Sequence, residues 1–295
     1  MFGLYFGHYL VEKNKISQSQ FNNLMQQHHK TRVKLGLIAV AEKLLTTKQS
    51  EEINEIQKKM DRRFGDIAIE KGYLLKEEVT YLLNQQGNSY LQFVQWFTEQ
   101  NIMSIGEIEV CLEEFKRDNQ FTDIEIEAFK SGDIDRIIPI FVDVDAPIIG
   151  ECISLAIRNV IRFISSEVIL KKAYHRKEYS FAGLASQKMV GDHTIFVGFA
   201  GEDKALLEIA RPFAKEQFNT MDEDAYDSVC EFINCTNGLF ASKLSDDDIH
   251  IDMTPPQFYT HSSLVCKGNI CIVPMMINGE QADLVVVVND EVGIN

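Results

Sequence analysis

Asp227-Ser228-Val229-Cys230-Glu231-Phe232-Ile233-Asn234 lies in a proline-free stretch, about Asp222–Lys243, whose apolar residues recur at helical spacing. At about 100° per residue, positions 227, 231 and 234 fall within roughly 60° of arc. Val229, Phe232 and Ile233 point to the other side. The stretch therefore predicts a helix that buries one face and presents a carboxylate and an amide side by side on the other. Pro256 follows Asn234 by 22 positions, beyond the acidic loop Asp246-Asp247-Asp248.

Working outward from this helix, apolar periodicity predicts an earlier one within Asp145–Ile169, with Ile153, Ala156, Ile157, Val160, Ile161 and Ile164 on its buried face. Between the two helices, Tyr179–Val190 and Thr194–Ala200 read as strands joined at Gly191-Asp192-His193. Ala205–Phe218 reads as a short helix, broken or restarted near Pro212. After the second helix come strands at Ser263–Cys266, Ile270–Ile277 and Ala282–Val288. The first pair is separated by a turn at Lys267-Gly268-Asn269, and the last by Asn278-Gly279, a strong hairpin signal. Ile137–Val144, apolar with one proline, reads as the opening strand. Helix, strand pair, helix, strand pair predicts an α/β arrangement with two pseudo-twofold halves.

The amino-terminal half carries an internal period. Phe6-Gly7, Leu35-Gly36 and Phe64-Gly65 recur 29 residues apart. The same step takes Ile16 to Leu45, Leu74 and Met103, and Leu24 to Ile53, Leu82 and Cys111. Asn14, Lys43, Gly72 and Asn101 share a turn position. Ser17, Thr46 and Ser104 each stand three residues before Gln20, Gln49 or Glu107, the spacing of a capping box. An α-helical repeat domain is expected over residues 1–120, a linker over 121–137 with one further helix at Phe121–Lys130, and the α/β domain over 138–295.

The net charge of −15 is uneven. Residues 1–120 hold 15 Lys/Arg and 16 Asp/Glu, whereas residues 121–295 hold 14 and 28. An acidic surface repels phosphate backbones and anionic lipid, so nucleic acid is excluded as a partner of this half. No apolar run reaches the roughly 20 residues that span a bilayer, and the first residues lack a secretory pattern, so a cytoplasmic location without membrane insertion is expected. The six cysteines form no Cys-x-x-Cys pair and read as reduced thiols. His28-His29 lack a third ligand nearby, Asp246–Asp248 lack ligand spacing, and Ser228 and Cys230 lack a paired histidine motif. No metal or cofactor of the protein's own is expected.

Asp227, Glu231, Asn234 and Pro256 match, position for position, the Asp/Ser-x3-Glu-x2-Asn motif with its distant proline. On these residues, and on the continuation Gly238-Leu239-Phe240-Ala241, the half from about 138 to 295 resembles the CheC/CheX/FliY phosphatases of bacterial chemotaxis. The resemblance implies hydrolysis of the phosphoryl-aspartate of a CheY-like response regulator, with Mg2+ held by that regulator. Asn234 would orient the attacking water, Glu231 would pair with the regulator's lysine, and Asp227 and Pro256 would support them. Some members of the family carry a second motif on the first helix. Here Glu151 is followed by Ser154 and preceded by Pro147, so one site per chain is expected. Pairing into a homodimer is expected as well, because the apolar strand Leu284–Val288 would be hazardous as an uncovered edge. The alternative to an enzyme is a non-catalytic adaptor or regulatory protein that binds a response regulator, a secretion-type partner or cyclic diguanylate.

The repeat half resembles the amino-terminal domain of type II secretion and pilus ATPases (MshEN-like), some of which bind cyclic diguanylate through motifs beginning Arg-Leu-Gly. The matching triplets are Tyr5-Phe6-Gly7, Lys34-Leu35-Gly36 and Arg63-Phe64-Gly65. Only the third keeps an arginine, and a lysine cannot make the planar bidentate contact of a guanidinium. Weak or no binding of cyclic diguanylate is therefore expected. The glycines are read as close-packing positions in a module that docks a protein.

Overall fold

The computed structural model describes residues 2–27, 33–59, 62–144 and 146–295. The chain divides into two compact units, Met1–Asp133 and Ile134–Asn295. The first is helical and the second is an α/β unit rich in strand.

The helices of the first unit are α1 (Phe2–Glu12), α2 (Gln18–Gln27), α3 (Leu35–Ala41), α4 (Thr47–Lys59), α5 (Phe64–Glu70), α6 (Lys76–Asn84), α7 (Ser89–Glu99), α8 (Ile105–Asp118) and α9 (Asp123–Ser131). Asn14, Lys43, Gly72 and Asn101 all hold left-handed backbone between successive helices, a geometry that asparagine and glycine adopt at little cost. Three of these turns lead into a helix start with reciprocal capping. Ser17 pairs with Gln20, Thr46 with Gln49 and Ser104 with Glu107. At the corresponding place Leu75 has no hydroxyl, and only its backbone N–H is satisfied, by Glu78. Gly7, Gly36 and Gly65 sit where a Cβ would strike Phe21, Ser50 with Phe64, and Val79, so each lets two helices approach closely. Phe2, Phe6, Phe93 and Phe115 form an aromatic cluster with ring centroids 5.3–5.6 Å apart. His28-His29 lie outside the described residues.

The second unit contains α10 (Ile134–Phe141), α11 (Pro147–Asn159), α12 (Asp203–Ala214) and α13 (Glu223–Asp246). Its strands are β1 (Val168–Leu170), β2 (Tyr174–Gly191), β3 (Ile195–Gly201), β4 (Ile251–Met253), β5 (Gln257–Ile277), β6 (Glu280–Val288) and β7 (Val292–Ile294). Every pairing is antiparallel. β2 pairs β3, β3 pairs β6, β6 pairs β5, and β5 returns to β2, so the four long strands close on themselves. Phe181, Leu184, Phe196, Leu264, Ile272 and Val285 belong to the core cluster contributed by the strands. The helices cover the opposite surface: α13 meets β2 and β3, while α11 and α12 meet β6. β6 is buried on both faces, which is why Leu284–Val287 is a continuous apolar run and not an alternating one.

Three sequence expectations change. Ile137–Val144 is not a strand: Ile134–Phe141 is α10, and Ile137, Ile138 and Phe141 are buried at i, i+1 and i+4. That helical spacing outweighs Pro139, which removes one backbone donor from a short helix. Lys267-Gly268-Asn269 is not a turn that separates two strands. It bulges within β5 where the register against β2 shifts between Arg176 and Glu178, and the strand continues on both sides. β6 is not an edge, because β3 and β5 flank it, so the edge argument for a homodimer through Leu284–Val288 fails. The earlier helix ends at Asn159, passes through a π-helical turn at Val160–Ile164, and leaves Val168–Leu170 to form β1. Asn278-Gly279 makes the β5–β6 hairpin with both residues at positive φ.

Candidate functional site

The site is built on α13, whose 24 residues begin at an Asp222 cap that accepts from Ala225 N–H at 3.1 Å. The buried side of the helix carries Val229, Phe232, Ile233, Phe240 and Leu244. Phe232 meets Phe199 of β3 at 5.5 Å between ring centroids, fixing the helix's rotation on the sheet. That rotation leaves Asp227 and Glu231 exposed and Asn234 partly exposed.

Between β4 and β5, which pair the same edge of β2, the chain runs alongside that edge as a three-residue link, Thr254-Pro255-Pro256. Thr254 donates from its N–H at 2.9 Å and its hydroxyl at 2.8 Å to the Lys188 carbonyl. Pro256 is thereby brought to the exposed face of α13. Asp227, Glu231 and Pro256 line one open cavity of about 560 Å³ with Cys230, Gln257, Phe258 and Tyr259. Phe258 stacks on Tyr226 at 4.5 Å and walls one side. Asn234 lies one turn from Glu231, just outside this lining. The structure thus assembles the four residues singled out in the sequence around one face of α13.

The Asn234 amide is not free to turn. Its Oδ1 accepts from Gln187 Nε2 at 2.8 Å, and the same nitrogen donates to the Thr254 carbonyl at 2.8 Å. Gln187 Oε1 accepts from Asn237 Nδ2 at 2.9 Å. Gln187 and Asn237 are 2% and 0% exposed, and Asn237 Oδ1 is buried without a partner. Sequence reasoning missed both residues. The only signal was a polar residue at the same strand parity as Ala185 and Met189, where period-two alternation expects an apolar side chain.

Cys230, at the cavity floor, is pushed up to about 11 by burial and then by the Asp227 and Glu231 carboxylates, so it is a thiol at neutral pH. Ser228 donates its hydroxyl to the Ala210 carbonyl at 3.0 Å and is buried. Neither is set up as a nucleophile. On α11, Glu151 forms an ion pair with Lys243 at 2.8 Å. Among the described residues no group of three His, Cys, Asp or Glu is arranged to hold a metal, and no helix is long and apolar enough to cross a membrane. The helical unit has a groove of its own, about 990 Å³, lined in part by Lys34, Leu35, Gly36 and Phe64.

Residues 184–284 match the family model for the chemotaxis phosphatase CheX. The carboxy-terminal part of the chain is CheX/CheC-like. The matched segment runs from β2 to β6 and contains α13 and its proline link. Solved structures similar to this chain include a CheC-like superfamily protein from Shewanella sp. PV-4, 20% identical, covering 49% of this chain and 99% of that one with a TM-score of 0.44. The chemotaxis protein CheX from Vibrio vulnificus is 20% identical, covering 48% and 99% with a TM-score of 0.42. The CheX–CheY–BeF3–Mg2+ complex from Borrelia burgdorferi is 15% identical, covering 48% and 97% with a TM-score of 0.35. No curated protein matches the chain.

Proposed function

We propose that the CheX-like unit hydrolyses the aspartyl phosphate of a CheY-like response regulator in chemotaxis or a related two-component pathway. One observation carries this reading: Glu231 and Asn234 stand one turn apart on the open face of α13, beside the link that bears Pro256. The family match over residues 184–284 supports it.

An acyl phosphate on a receiver aspartate is already activated, and the regulator supplies the Mg2+ beside it. What a second protein can add is a water held in line with the scissile bond. An amide oxygen accepts two hydrogen bonds, and Gln187 occupies one on Asn234. The other acceptor site takes a hydrogen of the water and leaves the water's lone pair for phosphorus. The new oxygen–phosphorus bond forms as the bond to the aspartate oxygen breaks. The carboxylate leaves with the electron pair, and the proton passes to phosphate or solvent. Glu231 pairs with the lysine that receivers hold beside their phosphate, which sets the register between the two proteins. Asp227 and Pro256 frame the approach. The helical unit, as a 29-residue tandem repeat, serves to dock a protein. A homodimer of this cytoplasmic protein, if formed through sheet edges, uses the short β1, β4 or β7 and not β6.

The test is phosphoryl loss from a radiolabelled regulator of the same genome, with binding measured separately on the regulator loaded with a non-hydrolysable phosphate mimic. Asn234→Ala is expected to lower the rate on the order of 100-fold or more while binding holds, the scale of one positioned transition-state contact. Glu231→Ala is expected to weaken the complex as well, and to reduce its salt dependence. Full activity in Asn234→Ala would remove the water-positioning role. Binding by the wild type without faster decay would make the protein an adaptor.

A further inference from the structure

Gln187 occupies the place where β2 has no strand partner on one side. The β5 pairing ends at Ser186 with Gln257, and the β4 pairing begins at Met189 with Met253. Thr254-Pro255-Pro256 crosses this gap. The opposite ladder neighbour of Gln187 is Val197, which is fully buried. Ala185 and Met189, two residues to either side on the same strand, are apolar and fully buried too. A methionine would fill this volume without taking an amide out of water, and burying an amide is favourable only when its bonds are made. Gln187 makes three: to Asn234 on the helix, to the Thr254 carbonyl on the proline link, and from Asn237 one turn further along the helix. Asn237 Oδ1 is left without a protein partner.

We infer that Gln187 is a positioning residue, which locks the Asn234 amide with its oxygen against β2 and ties the Pro256 link to the same frame. The inference rests on the phosphatase reading for its consequence, though not for its geometry. The terminal torsion of an asparagine is broad and roughly twofold, so an untethered Asn234 samples the reversed amide as well. In the reversed state a donor stands where the water needs an acceptor. Gln187 spends both of its N–H groups on oxygens, and this selects one of the two orientations. It also connects Asn234 to the link that bears Pro256, through Thr254, 20 residues further along the chain.

The experiment compares Gln187→Met, Gln187→Glu and wild type as full chains, each with and without Asn234→Ala. Initial rates over a range of phosphorylated regulator separate kcat from KM. In Gln187→Met, kcat is expected to fall about tenfold or more, the scale of small misplacements at a reacting centre, with KM within about twofold. In the Asn234→Ala background the same substitution is expected to change nothing further, because it acts through that amide. In Gln187→Glu the new carboxylate faces two carbonyl oxygens, so Asn234 is expected to reverse and donate to it. A second readout needs no activity: the side-chain amide resonances of Asn234, and the hydrogen bonds in a crystal structure of Gln187→Met. An Asn234 that keeps its orientation and its single set of resonances in Gln187→Met overturns the inference, as does an equal loss of rate in both backgrounds. If the wild type speeds no regulator's decay, the phosphatase reading fails, and the amide readout still decides for or against Gln187.

Discussion

Cys230 and Cys235 stand five residues apart on α13, the first buried at the cavity floor and the second exposed on the face that carries Glu231 and Asn234. Burial, reinforced by Asp227 and Glu231, pushes the Cys230 thiol up to about 11 and keeps it protonated across neutral pH. The thiolate is the species that reacts, so Cys230 is doubly protected, by access and by charge. Iodoacetamide at pH 7.5 is expected to modify Cys235 well before any other of the six cysteines, as read by peptide mass mapping. A bulky maleimide at Cys235, one residue from Asn234, is then expected to block regulator binding without unfolding the protein. Modification of Cys230 as fast as Cys235 would contradict its assigned environment. Residues at this scale differ in how far the sequence reveals them. Asp227, Glu231, Asn234 and Pro256 were legible because their spacing matches a motif whose chemistry can be stated. Gln187 was not, since its role depends on a link that only the folded chain lays beside β2.

Helix α13 holds a glycine in its interior, Gly238, one turn beyond Asn234 and near the angular position of Glu231. A Cβ there would meet only Met253, with Cε at 3.7 Å and Sδ at 3.9 Å, which is ordinary contact. The unit's own packing therefore does not demand glycine, although an interior glycine costs about 0.5–1 kcal/mol relative to alanine. Gly238→Ala is expected to raise the stability of the unit by about that amount in urea unfolding. Under the proposed docking it is also expected to weaken regulator binding, because a methyl group would stand where the partner approaches. Greater stability with unchanged affinity would take Gly238 out of the interface. Other elements were legible according to length and context. α13 and β6 are long enough for periodicity or continuous apolarity to be read. β1, β4 and β7 have three residues each, too few for any pattern. Gly268 signals a bulge as readily as a turn, and only the pairing of β2 with both ends of β5 distinguishes them. Ile137–Val144 was misread because a short apolar run suggested an opening strand, while the spacing of Ile134, Ile137, Ile138 and Phe141 is helical.

Across the whole chain, four of the buried thiols fall in the unit Ile134–Asn295, and burial pushes three of them furthest up. Burial holds Cys152 up at about 12 and Cys271 at about 11, and Cys230 joins them at about 11. Below pH 9 these groups are protonated in both the folded and the unfolded chain, so their contribution to stability is fully present. Between about pH 9 and 11–12 the unfolded chain ionises while the folded chain does not. The unfolded state then binds fewer protons, and stability falls as pH rises, by up to about 1.4 kcal/mol per pH unit for each thiol. The same half of the chain already carries 28 Asp/Glu against 14 Lys/Arg over residues 121–295, so added negative charge finds little compensation. The expected outcome is a steep alkaline loss of stability in this unit, measured as the urea midpoint at pH 8, 9.5 and 10.5 in the presence of reductant. Cys152→Ala with Cys271→Ala is expected to be less stable at pH 8, since two buried side chains are truncated, but to lose less between pH 8 and 10.5 than the wild type. The slope and not the starting value is the decisive quantity, because cavity costs do not vary with pH. Equal slopes in the two proteins would show that tyrosine ionisation or general charge repulsion, and not the buried thiols, sets the alkaline limit.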